Sequence, residues 1–222
     1  GLEKLMHFQI GSVVYKAASS TSSFEQNVQV VKTNTNFPSE WLIPETKPHI
    51  SQVYKHLVCD QARNEMIVNS IKQSVNHDRS VMVLTERKEH IELLAKLMAD
   101  KGIKVVELHG GISTKQRQER ITFLSSKPSN DEAVVILATG KYVGEGFDLP
   151  HLDTLFITLP IAWKGILAQY AGRIQREWSS KTVIQVYDFI DDFPTLQRMW
   201  KKREKGYKAL GYKFNEQKNL DL

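Results

Sequence analysis

Between residues 133 and 176 the chain gathers residues that suit a polyphosphate: small backbone-exposing glycines, an aspartate and two arginines. Ala133-Val-Val-Ile-Leu-Ala-Thr139-Gly140 runs into Lys141-Tyr-Val-Gly144-Glu-Gly146-Phe-Asp148, and Gln169-Tyr-Ala-Gly172-Arg173-Ile-Gln-Arg176 follows. Gly146 lets a backbone approach a ligand closely, and Asp148 can accept a hydrogen bond from a hydroxyl. Arg173 and Arg176 carry guanidinium groups that stay charged and present a planar fork to phosphate oxygens. Two ordinary readings stand beside these. A glycine turn with an aspartate cap is common, and an arbitrary arginine pair on a helix usually faces solvent beside an acid such as Glu177.

The elements that must position these residues are legible around them. Residues 133–138 form an unbroken apolar run, the pattern of a strand covered on both faces. Leu167, Tyr170, Ala171 and Ile174 follow an i, i+3, i+4, i+7 spacing and should turn one helix face to the core, leaving Gln169, Arg173 and Arg176 on the other. From Asp60, an N-cap, a helix carries Ile67, Ile71 and Val75; Val81–Leu84 is a buried strand. Ile91, Leu94, Ala95 and Met98 define a helix ending near Gly102, and Val105–Leu108 is the next strand. Ser113-x-x-Gln116 is a capping box opening a helix with Ile121 and Leu124 inward. Strands over Thr154–Leu159 and Val183–Tyr187 and a last helix from about Asp192 complete the series. Strands alternating with helices at this spacing predict an α/β, doubly wound, mainly parallel sheet with helices on both faces. Ligands of such sheets gather at the carboxyl ends of the strands. Thr85-Glu86-Arg87, His109-Gly110-Gly111 and Thr139-Gly140 lie there. Each supplies backbone N–H groups, a small side chain or a cation, all usable by a phosphodiester backbone, though any one of them taken alone could be plain turn chemistry.

Residues 1–58 look different. Val13–Tyr15 and Val28–Val31 are short strand candidates separated by a small, polar loop, and Pro38, Pro44 and Pro48 exclude a long helix. They are expected to be the tail of a preceding lobe plus a linker, with the main domain over 59–222.

The central stretches resemble motifs V and VI of superfamily 2 (DEAD/DEAH-type) helicases, in the second of their two RecA-like lobes. The resemblance covers roughly residues 60–212 and includes Leu84-Thr-Glu-Arg87, Leu108-x-Gly-Gly111 and the run from Ala138 to Asp148. It implies a RecA-like C-terminal lobe of the P-loop NTPase type. Arg173 and Arg176 would be arginine fingers beside Gln169, a role able to contribute ~10³–10⁵ in rate. Gly144, Gly146, Asp148 and Gly172 would line the nucleotide, with Asp148 at its ribose end. Thr85, Arg87, His109, Gly110, Thr139 and Gly140 would follow one nucleic-acid strand, DNA favoured over RNA. Gln169 stands where many relatives carry His, and Tyr170 where many carry Arg. Within the superfamily the run looks closest to bacterial restriction- and repair-associated helicases.

No G-x-x-x-x-G-K-[ST] loop is present and no Asp-Glu-x-x box follows a strand, so ATP and Mg²⁺ would be held mainly by an N-terminal lobe of the same protein. This polypeptide alone is therefore expected neither to hydrolyse ATP nor to unwind a duplex. The competing reading is a non-catalytic nucleic-acid-binding or partner-docking domain that kept the fold. The bulk properties fit either: 222 residues, a net charge of +5 and a pI near 9.1 permit phosphate attraction without requiring it. The single cysteine, Cys59, excludes an internal disulfide and a cysteine-cluster zinc site. No metal site and no membrane span are expected, and a cytoplasmic setting is. Arg198 to Lys208, with Tyr212 and Lys213, forms the densest basic run. It suits either nucleic acid or an amphipathic helix with Met199 and Trp200 docked and its cations solvated.

Overall fold

The computed structural model describes residues 24–43, 45–126, 134–140, 149–161, 170, 171, 174 and 181–216. In chain order they form β1 (Glu25–Lys32), α1 (Ile50–Cys59), α2 (Gln61–Asn76), β2 (Val81–Thr85), α3 (Lys88–Ala99), β3 (Lys104–Leu108), α4 (Thr114–Ser126), β4 (Val134–Thr139), β5 (Thr154–Ile157), β6 (Val183–Ile190), α5 (Pro194–Ala209) and β7 (Lys213–Glu216). The strands make one sheet of seven in the order β3-β4-β2-β5-β6-β1-β7, every pairing parallel.

Alternation along the inner strands builds two cores. Val81 and Val83 of β2, with Val135 and Leu137 of β4, face α2 and α3, where Ile67, Ile71, Ile91, Leu94 and Met98 meet them. Met82 and Leu84, with Ile136 and Ala138, face the other side with Leu124 of α4, Tyr170, Ala171, Ile174 and Tyr207 of α5. A third cluster, Val53, Leu57, Leu159, Phe193 and Leu196, seats α1.

The helix boundaries follow their caps. Asp60 accepts the Arg63 N–H at the start of α2. Ser113 and Gln116 exchange the expected pair of hydrogen bonds before α4. Gly102, at φ +75°, ends α3 in the left-handed region that only glycine enters freely. Leu124 is buried as expected, whereas Ile121 and Val75 are only half-buried.

The expectation that residues up to 58 are a tail and linker is corrected for the part described. Residues 25–32 are an inner strand: β1 pairs with β6 from Glu25↔Val183 to Lys32↔Ile190 and carries β7 on its other edge. The following prolines delay a helix rather than prevent one, since α1 starts just after Pro48. His49 caps it, its ring nitrogen accepting the Ser51 N–H while Gln52 takes the His49 N–H.

Candidate nucleic-acid and nucleotide interface

Adjacent parallel strands end side by side. Thr85 pairs with Thr139, and Leu108 pairs with Ala138, so the loops after β3, β4 and β2 leave the sheet as neighbours on one edge. The sequence-derived nucleic-acid contacts Thr85, Arg87, His109, Gly110, Thr139 and Gly140 are thereby brought together.

They are not equally available. Thr85 is fully buried. The Asn64 amide donates to the Val58 carbonyl, so its oxygen is left to accept from His90 Nε2–H at 3.0 Å. His90 Nδ1 then accepts the Thr85 hydroxyl at 2.9 Å. Burial, and after it the Arg63 charge, holds the His90 pKa down at about 3, so this chain of side chains is neutral. The Thr85 hydroxyl is thereby committed inside the fold. His109 is also turned inward, at 5% exposure: its Nδ1 accepts the Gly111 N–H at 2.9 Å and its Nε2 lies 3.3 Å from Glu107. A β-carbon on Gly111 would fall 2.9 Å from that ring, so the tight turn requires glycine there. The surface of the edge is made by exposed Gly110, half-buried Arg87 and half-buried Thr139, while Gly140 is buried.

Arg87 stacks over Tyr54 of α1, its guanidinium 5.7 Å from the ring centre. Burial, and then the Glu86 carboxylate, push the Tyr54 phenol up to about 12, against the pull of Arg203 and Arg87. It therefore stays protonated and donates a hydrogen bond to the Pro160 carbonyl at 2.5 Å. The neighbouring carbonyls are held likewise: Arg63 donates to Thr158 at 2.7 Å, and Arg203 to Ile161 at 3.2 Å. Each of those arginines is bound to a buried aspartate, Arg63 to Asp191 and Arg203 to Asp188. The exit of β5 is thus fixed at three carbonyls, of Thr158, Pro160 and Ile161, by α2, α1 and α5.

Beyond it, Tyr170, Ala171 and Ile174 face the core, as their spacing predicted. Ile174 N–H bonds to the Tyr170 carbonyl at 3.0 Å, closing one turn. Three side chains hold that turn. Tyr170 donates to the Gly140 carbonyl at 3.2 Å, Tyr212 to the Ala171 carbonyl at 3.1 Å, and Lys181 to the Ile174 carbonyl at 2.8 Å. Burial lowers the Lys181 pKa to about 8, with Asp153 opposing. The expected catalytic residues Gln169, Arg173 and Arg176, and the expected nucleotide contacts Gly144, Gly146, Asp148 and Gly172, lie outside the described residues.

The C-terminal basic run divides. Arg203 is 1% exposed, locked onto Asp188 by two hydrogen bonds of 2.8 Å, with Tyr207 donating to the same carboxylate at 3.0 Å. Burial disfavours the Arg203 charge, but the adjoining Asp188 carboxylate outweighs it and raises its pKa. Arg203 is therefore removed from any external basic patch, whereas Lys201, Lys202 and Lys205 are exposed. Trp200 packs half-buried against Tyr207 and Phe214.

Sequence reasoning missed Tyr54, Asn64, His90 and the two buried Arg–Asp pairs. Arg63-Asn64 four residues into a capped helix was a visible signal, since charged and amide groups there must find partners once the helix packs. Among the described residues no group of three His, Cys, Asp or Glu side chains could hold a metal, and no helix is long and apolar enough to cross a membrane.

Residues 62–178 match the model of the family described as Helicase conserved C-terminal domain, more than half of the chain. The chain belongs to that family. This helicase C-terminal lobe is 30% identical over 165 residues to "Putative helicase 161L" of Invertebrate iridescent virus 6, an alignment covering 70% of this chain and 36% of that protein. It is 25% identical over 170 residues to transcript termination protein A18 of Fowlpox virus, covering 69% of this chain and 35% of the other. The lobe thus spans about a third of the length of these curated relatives. They are viral, so the expected closeness to bacterial restriction- and repair-associated helicases is not what the comparison gives. Among solved structures, T4 UvsW superposes with a TM-score of 0.66 at 18% identity, covering 88% of this chain and 41% of UvsW. Dbp5 of S. cerevisiae bound to RNA and ADP BeF3 gives 0.59 at 13% identity, covering 97% and 47%. Both share the fold, and the seven-stranded parallel sheet of this chain is the RecA-like arrangement.

Proposed function

We propose that this lobe is one half of an ATP-dependent nucleic-acid motor. It grips one strand along the edge formed by Arg87, Gly110 and Thr139, and turns Arg173 and Arg176 toward an ATP held with Mg²⁺ by a preceding lobe. The observation that carries the reading is the pairing of Thr85 with Thr139 and of Leu108 with Ala138, which sets three phosphate-suited loops in a row. The hydrogen bond from Tyr170 to the Gly140 carbonyl adds support, because Tyr170, three residues before Arg173 in the chain, reaches that same edge. The relatives are about three times longer than this chain's share of them, which leaves room for the second lobe.

The chemistry follows from charge. Phosphoryl transfer to water gains from positioning and from cations at the γ-phosphate, which two guanidinium groups on one helix face would supply. Gly144, Gly146, Asp148, Gly172 and Gln169 would shape the nucleotide side of the cleft. Closure on ATP and reopening after hydrolysis would then shift the grip on the strand. The substrate is a nucleic acid. The Dbp5 structure was solved with RNA, and oligonucleotides of both sugar types belong in the test.

That test is an ATPase assay on the protein including its preceding lobe, with and without single-stranded DNA or RNA. Wild-type turnover should rise with one of them. Arg173→Ala and Arg176→Ala should abolish turnover while leaving oligonucleotide affinity within about three-fold, since the fingers act only in the transition state. Oligonucleotide binding with no ATPase in the wild type would favour the non-catalytic domain instead.

A further inference from the structure

α1 lies ahead of residues 62–178, the stretch shared with the helicase family, yet it is built firmly into this lobe. Val53 and Leu57 are buried with Leu159, Phe193 and Leu196, Tyr54 donates to the Pro160 carbonyl, and His56 Nε2–H donates to the Asn36 carbonyl at 2.7 Å. Between this helix and the start of α3 is a cavity of about 520 Å³, within the size range of small-ligand pockets. Lys55, Val58 and Cys59 line it from α1, Arg87 and Glu89 from the opposite wall. That second wall is fixed as well, since His90, in the first turn of α3, is held by Thr85 and Asn64. The space is therefore formed before any ligand arrives.

The cavity adjoins the edge assigned to the strand, because Arg87 belongs to both. Its guanidinium lies over the Tyr54 ring. A planar cation backed on one face by an aromatic ring can offer its other face to a second flat π system, and nucleobases stack on guanidinium planes in this way. The N–H groups at its rim stay available to phosphate oxygens. The remaining lining suits a base with its backbone. Gln52 Oε1 takes the His49 N–H at 2.8 Å, which makes the other end of that amide a donor into the cavity wall. The Glu89 carboxylate can accept from a base amino group, Val58 adds an apolar patch, and exposed Lys55 can neutralise a phosphate. A bare anion would meet repulsion from Glu89, whereas a nucleotide brings both the negative backbone and the hydrogen-bond donors that this mixture accommodates.

We propose that the cavity between α1 and the start of α3 is a base-binding subsite, in which one base of the gripped strand lies against the Arg87 guanidinium between Lys55 and Glu89. The inference rests on the nucleic-acid grip in the reading above and adds to it a contact supplied by a helix outside the shared family stretch. Cys59, the single cysteine of the sequence, is exposed and lines the cavity, so it reports occupancy directly.

In the protein including its preceding lobe, iodoacetamide alkylation of Cys59 is followed by peptide mass spectrometry, and oligonucleotide Kd by fluorescence anisotropy. The probes are a short single-stranded oligonucleotide and its fully abasic counterpart, at low salt, where backbone attraction alone saturates the protein. The base-bearing probe should slow Cys59 alkylation by about five-fold or more, and the abasic probe by less than about two-fold. Cys59→Trp places an indole in the cavity. It should weaken the base-bearing probe about five-fold, the scale of one stacked base, and leave the abasic probe within about two-fold. Equal protection by the two probes, protection by neither, or a Cys59→Trp effect that is absent or the same for both overturns the subsite, while oligonucleotide-stimulated ATPase would still uphold the motor reading. A wild type that binds neither probe defeats that reading, and this inference with it.

Discussion

Arg63 and Asp191 meet fork to fork, Nε 2.8 Å from Oδ1 and Nη2 3.1 Å from Oδ2, with neither side chain open to water. The pair ties α2 to the end of β6, and Asp191 also accepts the Thr33 hydroxyl at 2.6 Å. Burying two charges costs nearly what their attraction returns, so the net value of the pair is small, but removing one member strands the other. Arg63→Ala should therefore lower stability by about 3–5 kcal/mol in urea unfolding. Arg63→Lys should recover only part of this, because an ammonium cannot form both bonds in the plane. A loss under about 1 kcal/mol for Arg63→Ala would mean that water enters and repairs the site.

His90 makes acid a probe of the Thr85 loop. Its pKa falls from an ordinary 6.5 to about 3 on folding, mainly through burial. The unfolded chain therefore takes up a proton below about pH 6.5 that the folded chain refuses until about pH 3. The stability belonging to neutral His90 is complete above pH 6.5 and is lost as pH falls toward 3, at up to about 1.4 kcal/mol per pH unit. His90→Asn should be less stable than the parent at pH 7.5 yet lose less between pH 6.5 and 4.5. Parallel curves from urea titrations at several pH values would show that His90 is already charged in the fold.

Arg87 should report phosphate contact. In the protein including its preceding lobe, Arg87→Ala should weaken oligonucleotide binding and reduce the slope of log K against log salt by about one. Its side chain is only half-buried, so folding should be spared. An unchanged slope would take Arg87 off the path of the strand.

Within the C-terminal helix the cations should behave in opposite ways. Arg203→Ala leaves Asp188 buried and uncompensated and should cost about 3–5 kcal/mol. Lys201→Ala and Lys202→Ala, both exposed, should stay within about 0.5 kcal/mol. Their effect on the salt dependence of binding then decides whether the exposed part of this helix touches nucleic acid.

What the sequence made legible was whatever depends on neighbours a few residues away. The strands over 81–84 and 105–108, the capping box at Ser113 and Gln116, and the inward face of Tyr170, Ala171 and Ile174 all rest on local spacing. β1 was harder. Glu25-Gln-Asn-Val-Gln-Val-Val-Lys32 reads as a short polar-edged strand, and the partners that make it internal come from the far end of the chain. α1 hid because its cap is a histidine rather than one of the usual small polar residues. Arg203 looked like a surface cation because the buried Asp188 that receives it stands on another element. At the candidate site, the three loops were readable as strand ends, while the inward turn of Thr85 and His109 depends on His90 and Glu107, whose side chains periodicity does not place.

The position of β1 sets an order on synthesis. A ribosome delivers Glu25–Lys32 well before both of its sheet neighbours, β6 and β7, which lie about 150 residues or more further along the chain. Until then Val28, Val30 and Val31 have no strand beside them, and the nascent lobe must hold β1 unpaired until β6 arrives. A truncated clone begun at residue 59 would lack β1, leaving β6 as a raw sheet edge and β7 without a neighbour, both inviting self-association.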